Sequence, residues 1–134
     1  MKKPELWGPS GWNFIHHVTA EYPEKPTQLD KQRYGIFFNN LRFVLPCSAC
    51  RQHYTDLLRL YPIHYDLSSR HSLMIWGWII HNEVNKRLSK KNFSWNDFKK
   101  KYVENNYAFQ MSYVSYLLIG IILIVVIYTI IKSK

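Results

Sequence analysis

Residues 69–91 read SRHSLMIWGWIIHNEVNKRLSKK, and the spacing within that stretch decides the fold. Leu73, Trp76, Ile80, Val84 and Leu88 recur three and four residues apart, the period of one helix face. Ser68 or Ser69 is placed to cap the start of the helix. The same helix carries His81, Asn82 and Asn85 among its apolar residues. His81 and Asn85 are one turn apart and share a face, with Asn82 beside them. Polar groups buried in such a place cost about 1–3 kcal/mol each unless something bonds to them. Neighbouring helices could supply the partners. A histidine and two asparagines together, followed by Lys90 and Lys91, point instead to a ligand with ring edges and phosphates.

Outward from this helix the chain keeps the helical period. Trp12, Ile15, His16 and Thr19 follow Pro9-Ser10, and Tyr22-Pro23 ends that run. Thr27-Gln28-Leu29-Asp30 resembles a capping box before a stripe of Tyr34, Phe37, Phe38, Leu41 and Leu45. Pro46 interrupts it, and a third helix is expected from Cys47 to about Leu60 with Leu57 and Leu58 buried. Ser94-Trp95-Asn96-Asp97 is a second capping pattern, opening a short helix that runs toward the C-terminal segment. No stretch alternates with period two. The expected fold is all-α, a four-helix bundle with a short fifth helix, followed by a C-terminal transmembrane helix.

The 134 residues include 18 Lys+Arg and 9 Asp+Glu, a formal charge of +9, with 47% hydrophobic and 16% aromatic residues. That length holds one domain, and the composition excludes a disordered chain. Two cysteines cannot make a disulfide scaffold or a four-cysteine zinc site. From Tyr113 to Ile131 the chain is almost wholly apolar, and 19 helical residues span roughly 28 Å, near the hydrocarbon thickness of a bilayer. A buried core helix would keep some polar face, and this one has none. Residues 113–131 are therefore expected to span a membrane, with 106–112 a juxtamembrane connection and 132–134 a tail. No apolar stretch precedes residue 20 to act as a signal peptide, so residues 1–105 are expected to face the cytosol. Removing Lys132 and Lys134 leaves 16 basic and 9 acidic residues, a net +7. The Lys99-Lys100-Lys101 run suits anionic headgroups, and without a recognised binding motif the charge does not indicate nucleic acid.

Pro46-Cys47-Ser48-Ala49-Cys50 is the second chemical feature. Residues three apart on a helix lie close enough for both sulfurs to bond. At a helix start Cys47 would face free backbone N–H groups and the positive dipole end, which favour a thiolate. Redox use competes with a zinc site made of Cys47, Cys50 and His53 plus His16, His17, His71 or His81. It also competes with two inert buried cysteines. Structural zinc more often uses two separated ligand pairs, whereas Arg51 removes c-type haem and no βαβ pattern supports a thioredoxin fold.

His81-Asn82-Glu83-Val84-Asn85 with Leu88 and Lys90 resembles the HNxVNxxLxK signature of the Erv/ALR flavin-linked sulfhydryl oxidases. Pro46–Cys50 matches that family's PCxxC, and Gly8, Trp12 and His16 match its GxxxWxxxH. The three motifs occur in order over residues 7 to about 105, and the chain looks most like short members encoded by large cytoplasmic DNA viruses. The resemblance implies a helical bundle that holds FAD and oxidises protein dithiols with O2, giving a disulfide and H2O2. It implies Cys50 as the flavin-proximal cysteine and Cys47 as the one that exchanges with substrate. It implies a cofactor set of Trp12, His16, His81, Asn82, Val84, Asn85 and Lys90, extended by Gly8, Leu88, Lys91 and Trp95, with no metal.

Two departures stand out. Pro9 occupies a position where the family commonly has Arg, and the shuttling second CxxC of many members is missing. The implied partner is then a separate dithiol substrate or relay protein that reaches Cys47 directly, and a homodimer would be non-covalent. Formation of virion protein disulfides at a virion or host cytoplasmic membrane is the implied role. A zinc-stabilised tail-anchored adaptor and a structural membrane protein are the rival readings.

Overall fold

The computed structural model describes residues 3–132, except for the side chains of residues 105–112. Residues 1–98 form one compact unit and residues 99–134 another. The first is built from α1 (Pro4–Ala20), α2 (Gln28–Val44), α3 (Ser48–Leu60), a 3-10 turn (Ile63–Tyr65), α4 (Arg70–Arg87) and the short α5 (Trp95–Lys99). No strand occurs among the described residues. The expected all-α bundle with a short fifth helix is the fold that forms.

The caps follow from local chemistry. Thr27 Oγ1 accepts the Asp30 backbone N–H at 3.2 Å while Asp30 Oδ2 accepts the Thr27 N–H at 2.9 Å, closing a reciprocal box at the start of α2. The Thr27 hydroxyl and N–H, bonding to the charged form, hold the Asp30 carboxyl below its ordinary pKa. Of the two serines before α4, Ser69 is the cap, its Oγ accepting from Ser72 N–H at 3.2 Å. The first helix begins earlier than Pro9-Ser10 suggested. Pro4 supplies a pre-set φ in the first turn, and exposed Pro9 lies inside the helix. The hydrogen bond Pro9 forgoes would go to the carbonyl of Glu5, also exposed, where water can replace it.

Packing fixes the order of the helices. Phe38 (α2), Leu73, Trp76 and Ile80 (α4) and Tyr54, Leu57 and Leu58 (α3) share one core with Tyr22, Ile63 and Leu67. Tyr54 donates to the Phe38 carbonyl at 3.0 Å, and Trp76 Nε1 donates to the Tyr61 carbonyl at 3.0 Å. Burial pushes the Tyr54 hydroxyl far above its ordinary pKa, which keeps it a neutral donor. Val84 packs against the core as its spacing predicts, but Leu88 does not. It caps the end of α4 at 48% exposure, because the chain leaves the helix there and turns away.

In the second unit a π-helical turn, Lys100–Glu104, precedes α6 (Asn105–Lys132). Tyr113–Lys132, 20 residues of mean hydropathy 2.8, is long and apolar enough to cross a membrane and buries nothing within the chain. Thr129 Oγ1 donates to the Val126 carbonyl at 2.8 Å, so the helix satisfies its own hydroxyl as a hydrocarbon environment demands.

Candidate functional site

Pro46 ends the connection from α2, and Cys47 takes extended backbone geometry (φ −140°) as the N-cap of α3. Its Sγ accepts the Cys50 backbone N–H at 3.2 Å and is disulfide-bonded to Cys50, with Cα atoms 5.1 Å apart. Arg51 Nη1 donates to the Leu45 carbonyl at 2.6 Å and ties the entering chain to the first turn. When the disulfide opens, a Cys47 thiolate inherits the N–H bond and the helix dipole, and both stabilise its charge. Cys47 is 6% exposed and Cys50 is half-buried.

Arg87 and Glu83, on the last turns of α4, lie near enough to act on the charge of His53, one turn beyond Cys50 in α3, while Trp76 Nε1 bonds to the Tyr61 carbonyl at the close of α3. Desolvation first, and Arg87 second, depress the pKa of His53. The Cys47, Cys50 and His53 series gathers no further ligand: no group of three His, Cys, Asp or Glu suited to a metal occurs among the described residues.

The other face of α4 meets α1. His16, fully buried, has its Nε2 2.7 Å from His81 Nδ1, a bond in which one ring donates and the other accepts. The Trp12 ring stacks on His81 at 4.1 Å and 6°. Such proximity needs a small residue on α4, and Gly77 supplies it: a Cβ there would lie 3.2 Å from Thr19 Cγ2. Phe98 meets His16 edge-on at 4.9 Å, and Phe93 lies 5.9 Å from His81. Sequence reasoning missed Gly77, Phe93 and Phe98. The only signal for the two phenylalanines was their place flanking the Ser94 capping box.

Asn82 is bonded within the chain. Its Oδ1 accepts the Phe93 N–H at 2.7 Å and its Nδ2 donates to the Phe93 carbonyl at 3.0 Å, which also accepts Trp78 Nε1 at 2.6 Å. Asn82 therefore holds the returning loop with one edge of its carboxamide. Asn85, 8% exposed, makes no side-chain hydrogen bond among the described residues. Its carbonyl accepts from Leu88 and Lys90 N–H as Ser89 turns through φ 52°, which presents Lys90 and Lys91 to solvent. Trp95 stacks on Phe98 at 4.9 Å, which in turn meets His16, and lies beside Trp78 and His71. A Cβ on half-buried Gly8 would meet nothing within 4 Å, so packing does not require glycine there. Val84 faces the core and Leu88 the solvent, so neither joins the Trp12–His81 group.

The donor set suits the FAD that the motifs imply. Trp12 and His81 are stacked and half-buried. Among the described residues the Asn85 carboxamide makes no hydrogen bond and exposed Lys90 and Lys91 make no ion pair, which leaves them for phosphate and ring edges.

Residues 9–103 match the profile of the Erv1 / Alr family. A protein of Acanthamoeba polyphaga mimivirus named "Probable FAD-linked sulfhydryl oxidase R368" is 51% identical over 89 residues, 66% of this chain and 62% of that protein. An FAD-linked sulfhydryl oxidase of African swine fever virus (isolate Pig/Kenya/KEN-50/1950) is 31% identical over 99 residues, 74% of this chain and 82% of that protein. The crystal structure of the FAD binding domain of Erv1 from Saccharomyces cerevisiae superposes with a TM-score of 0.72 at 31% identity. That match covers 78% of this chain and 97% of the yeast domain. The chain spans less than two thirds of the mimivirus relative and of a relative from Invertebrate iridescent virus 3, 62% and 59%.

Proposed function

The chain belongs to the Erv1/Alr family, and we propose that it is an FAD-linked sulfhydryl oxidase that forms disulfides in partner proteins through Cys47 and Cys50. The observation that carries this reading is a disulfide at a helix N-cap, in the same compact unit as the Trp12–His16–His81 group. Trp12 and His81 offer stacking faces, Asn85 an unspent carboxamide, and Lys90 and Lys91 cations for a pyrophosphate. FAD held there supplies a two-electron acceptor that O2 reoxidises.

The chain's own chemistry is thiol–disulfide exchange. A substrate thiolate attacks Cys47 Sγ, the Cys47–Cys50 bond breaks, and Cys50 leaves as a thiolate. The second substrate thiolate attacks the substrate sulfur of the mixed disulfide and expels Cys47. A leaving thiol of low pKa departs faster, and the Cys50 N–H and the α3 dipole supply that stabilisation at Cys47. This supports Cys47 as the exchanging residue and Cys50 as the one that passes the electron pair on. The full reaction, 2 R-SH + O2 to R-S-S-R + H2O2, balances.

No other cysteine exists in these 134 residues to relay electrons, so the substrate or relay dithiol belongs to a separate protein. Exposed Leu29 and Ile36 on α2 and Phe14 on α1 offer a face for a second copy, which packing alone would hold. Tyr113–Lys132 anchors the enzyme in a viral or host membrane, and the viral relatives favour virion proteins as substrates. A cytosol that reduces disulfides gives such an enzyme its purpose, as a local oxidising route. Cys47→Ser and Cys50→Ser should each abolish thiol-dependent O2 uptake while FAD stays bound. Continued turnover in either variant would refute the assignment.

A further inference from the structure

Charge is divided unevenly between the two ends of the first unit. The end away from the disulfide mixes signs: Arg70 pairs with Glu24, Arg59 pairs with Asp56, and Asp30 caps α2. At the disulfide end, Lys86 pairs with Glu83. Arg42 at the close of α2, Arg51 beside Cys50, Arg87 at the last position of α4, and Lys90 and Lys91 beyond it make no ion pair among the described residues. Arg42 lies over the Phe43 ring at 4.8 Å instead of meeting a carboxylate. Arg87 acts on His53, one turn from Cys50, where desolvation is the larger cause of its lowered pKa and Asp56 and Glu83 act the other way. Beside it the chain that enters Cys47 is apolar and open, with Val44 69% exposed and Pro46 also exposed.

We propose that this end selects an acidic dithiol segment of the partner protein, with carboxylates near its cysteines and an apolar side chain that rests on Val44 and Pro46. The proposal rests on the oxidase reading and adds the substrate's chemistry to it. Acidic neighbours raise the pKa of a substrate's thiols in solution and leave little of the attacking thiolate. Docking against Arg42 and Arg87 neutralises those carboxylates, so the thiolate fraction rises where Cys47 waits. The charge thereby increases both encounter and reactivity. Lys90 and Lys91 are set aside for the cofactor, which leaves Arg42 and Arg87 as the surface that a substrate reads.

The test uses the full chain with FAD in detergent and three substrates: dithiothreitol and two peptides with the same CxxC, one flanked by Glu and Leu, the other by Lys and Leu. At low salt kcat/KM for the acidic peptide should exceed that for the basic one by about tenfold, and the gap should shrink as salt screens the field. Arg42→Gln with Arg87→Gln should lower kcat/KM for the acidic peptide by about threefold or more, as should Val44→Ser, without changing dithiothreitol turnover. Equal rates for the two peptides would overturn the proposal. So would an acidic-peptide rate unmoved by the arginine variants, which would leave the charge to the cofactor alone. Absence of dithiothreitol turnover in the parent protein would instead overturn the oxidase reading, and this inference with it.

Discussion

Replacing Asn82 separates two roles that its sequence motif cannot distinguish. In the structure its carboxamide is paired with both backbone groups of Phe93, so its loss should release the loop that carries Lys90, Lys91 and Phe93. Asn82→Ala removes two hydrogen bonds. The Phe93 carbonyl keeps Trp78 Nε1 at 2.6 Å, whereas the Phe93 N–H loses its 2.7 Å bond to Asn82 Oδ1. Losing a hydrogen-bond partner at a buried group costs about 1–3 kcal/mol, and Phe93 is half-buried, so a total near 2 kcal/mol is expected. For a domain of this size that lowers Tm by roughly 8–16 °C.

Asn82→Asp keeps the acceptor and turns the donor into a second oxygen facing a carbonyl. Protonation restores the donor, so the buried carboxyl should have a raised pKa in the folded state. The variant then loses stability as pH rises above the ordinary carboxyl value near 4, and levels off beyond the folded pKa. Melts followed by circular dichroism, with FAD affinity measured beside them, decide the matter. Lower Tm together with weaker FAD binding fits a loop clamp. An unchanged Tm with FAD affinity lost would refute the reasoning and return Asn82 to direct cofactor contact.

Gly77→Ala should gain helix propensity of about 1 kcal/mol yet push Thr19 outward and spread α1 from α4, for a net loss of up to about 2 kcal/mol. A stability gain in urea unfolding would show that the contact yields freely. His53, its pKa lowered by burial and then Arg87, remains neutral in the fold below the pH at which the unfolded chain protonates. Stability should therefore fall as pH drops below about 6.5, and His53→Gln should narrow the difference between urea midpoints at neutral and acid pH. Equal narrowing in a control substitution of exposed His64 would defeat that attribution. Removing residues 113–134 should move the protein from the vesicle-bound to the free fraction in flotation, and continued flotation would refute the anchor.

The helices were legible because each carries its own punctuation. Thr27 with Asp30, Ser69, Pro46 before Cys47, and Ser94 with Asp97 all stand where the chain starts a helix. The redox pair was legible for the same reason, since a cysteine at an N-cap has local consequences. What escaped the sequence depended on partners distant along the chain. Leu88 matches the apolar period of α4, but the turn at Ser89 takes it out of the core. Gly77 looks like a weak point in a helix until Thr19 is seen against it. Asn82 belongs to a ligand motif, yet its bonds go to a backbone 11 residues on.

The most direct test of the oxidase account is the absorbance spectrum of the purified full chain, read with O2 consumption on addition of dithiothreitol. The account predicts a yellow protein with FAD near one per chain, which consumes O2 and releases H2O2 in equal amounts. A colourless protein that gains no flavin from added FAD and consumes no O2 would contradict it.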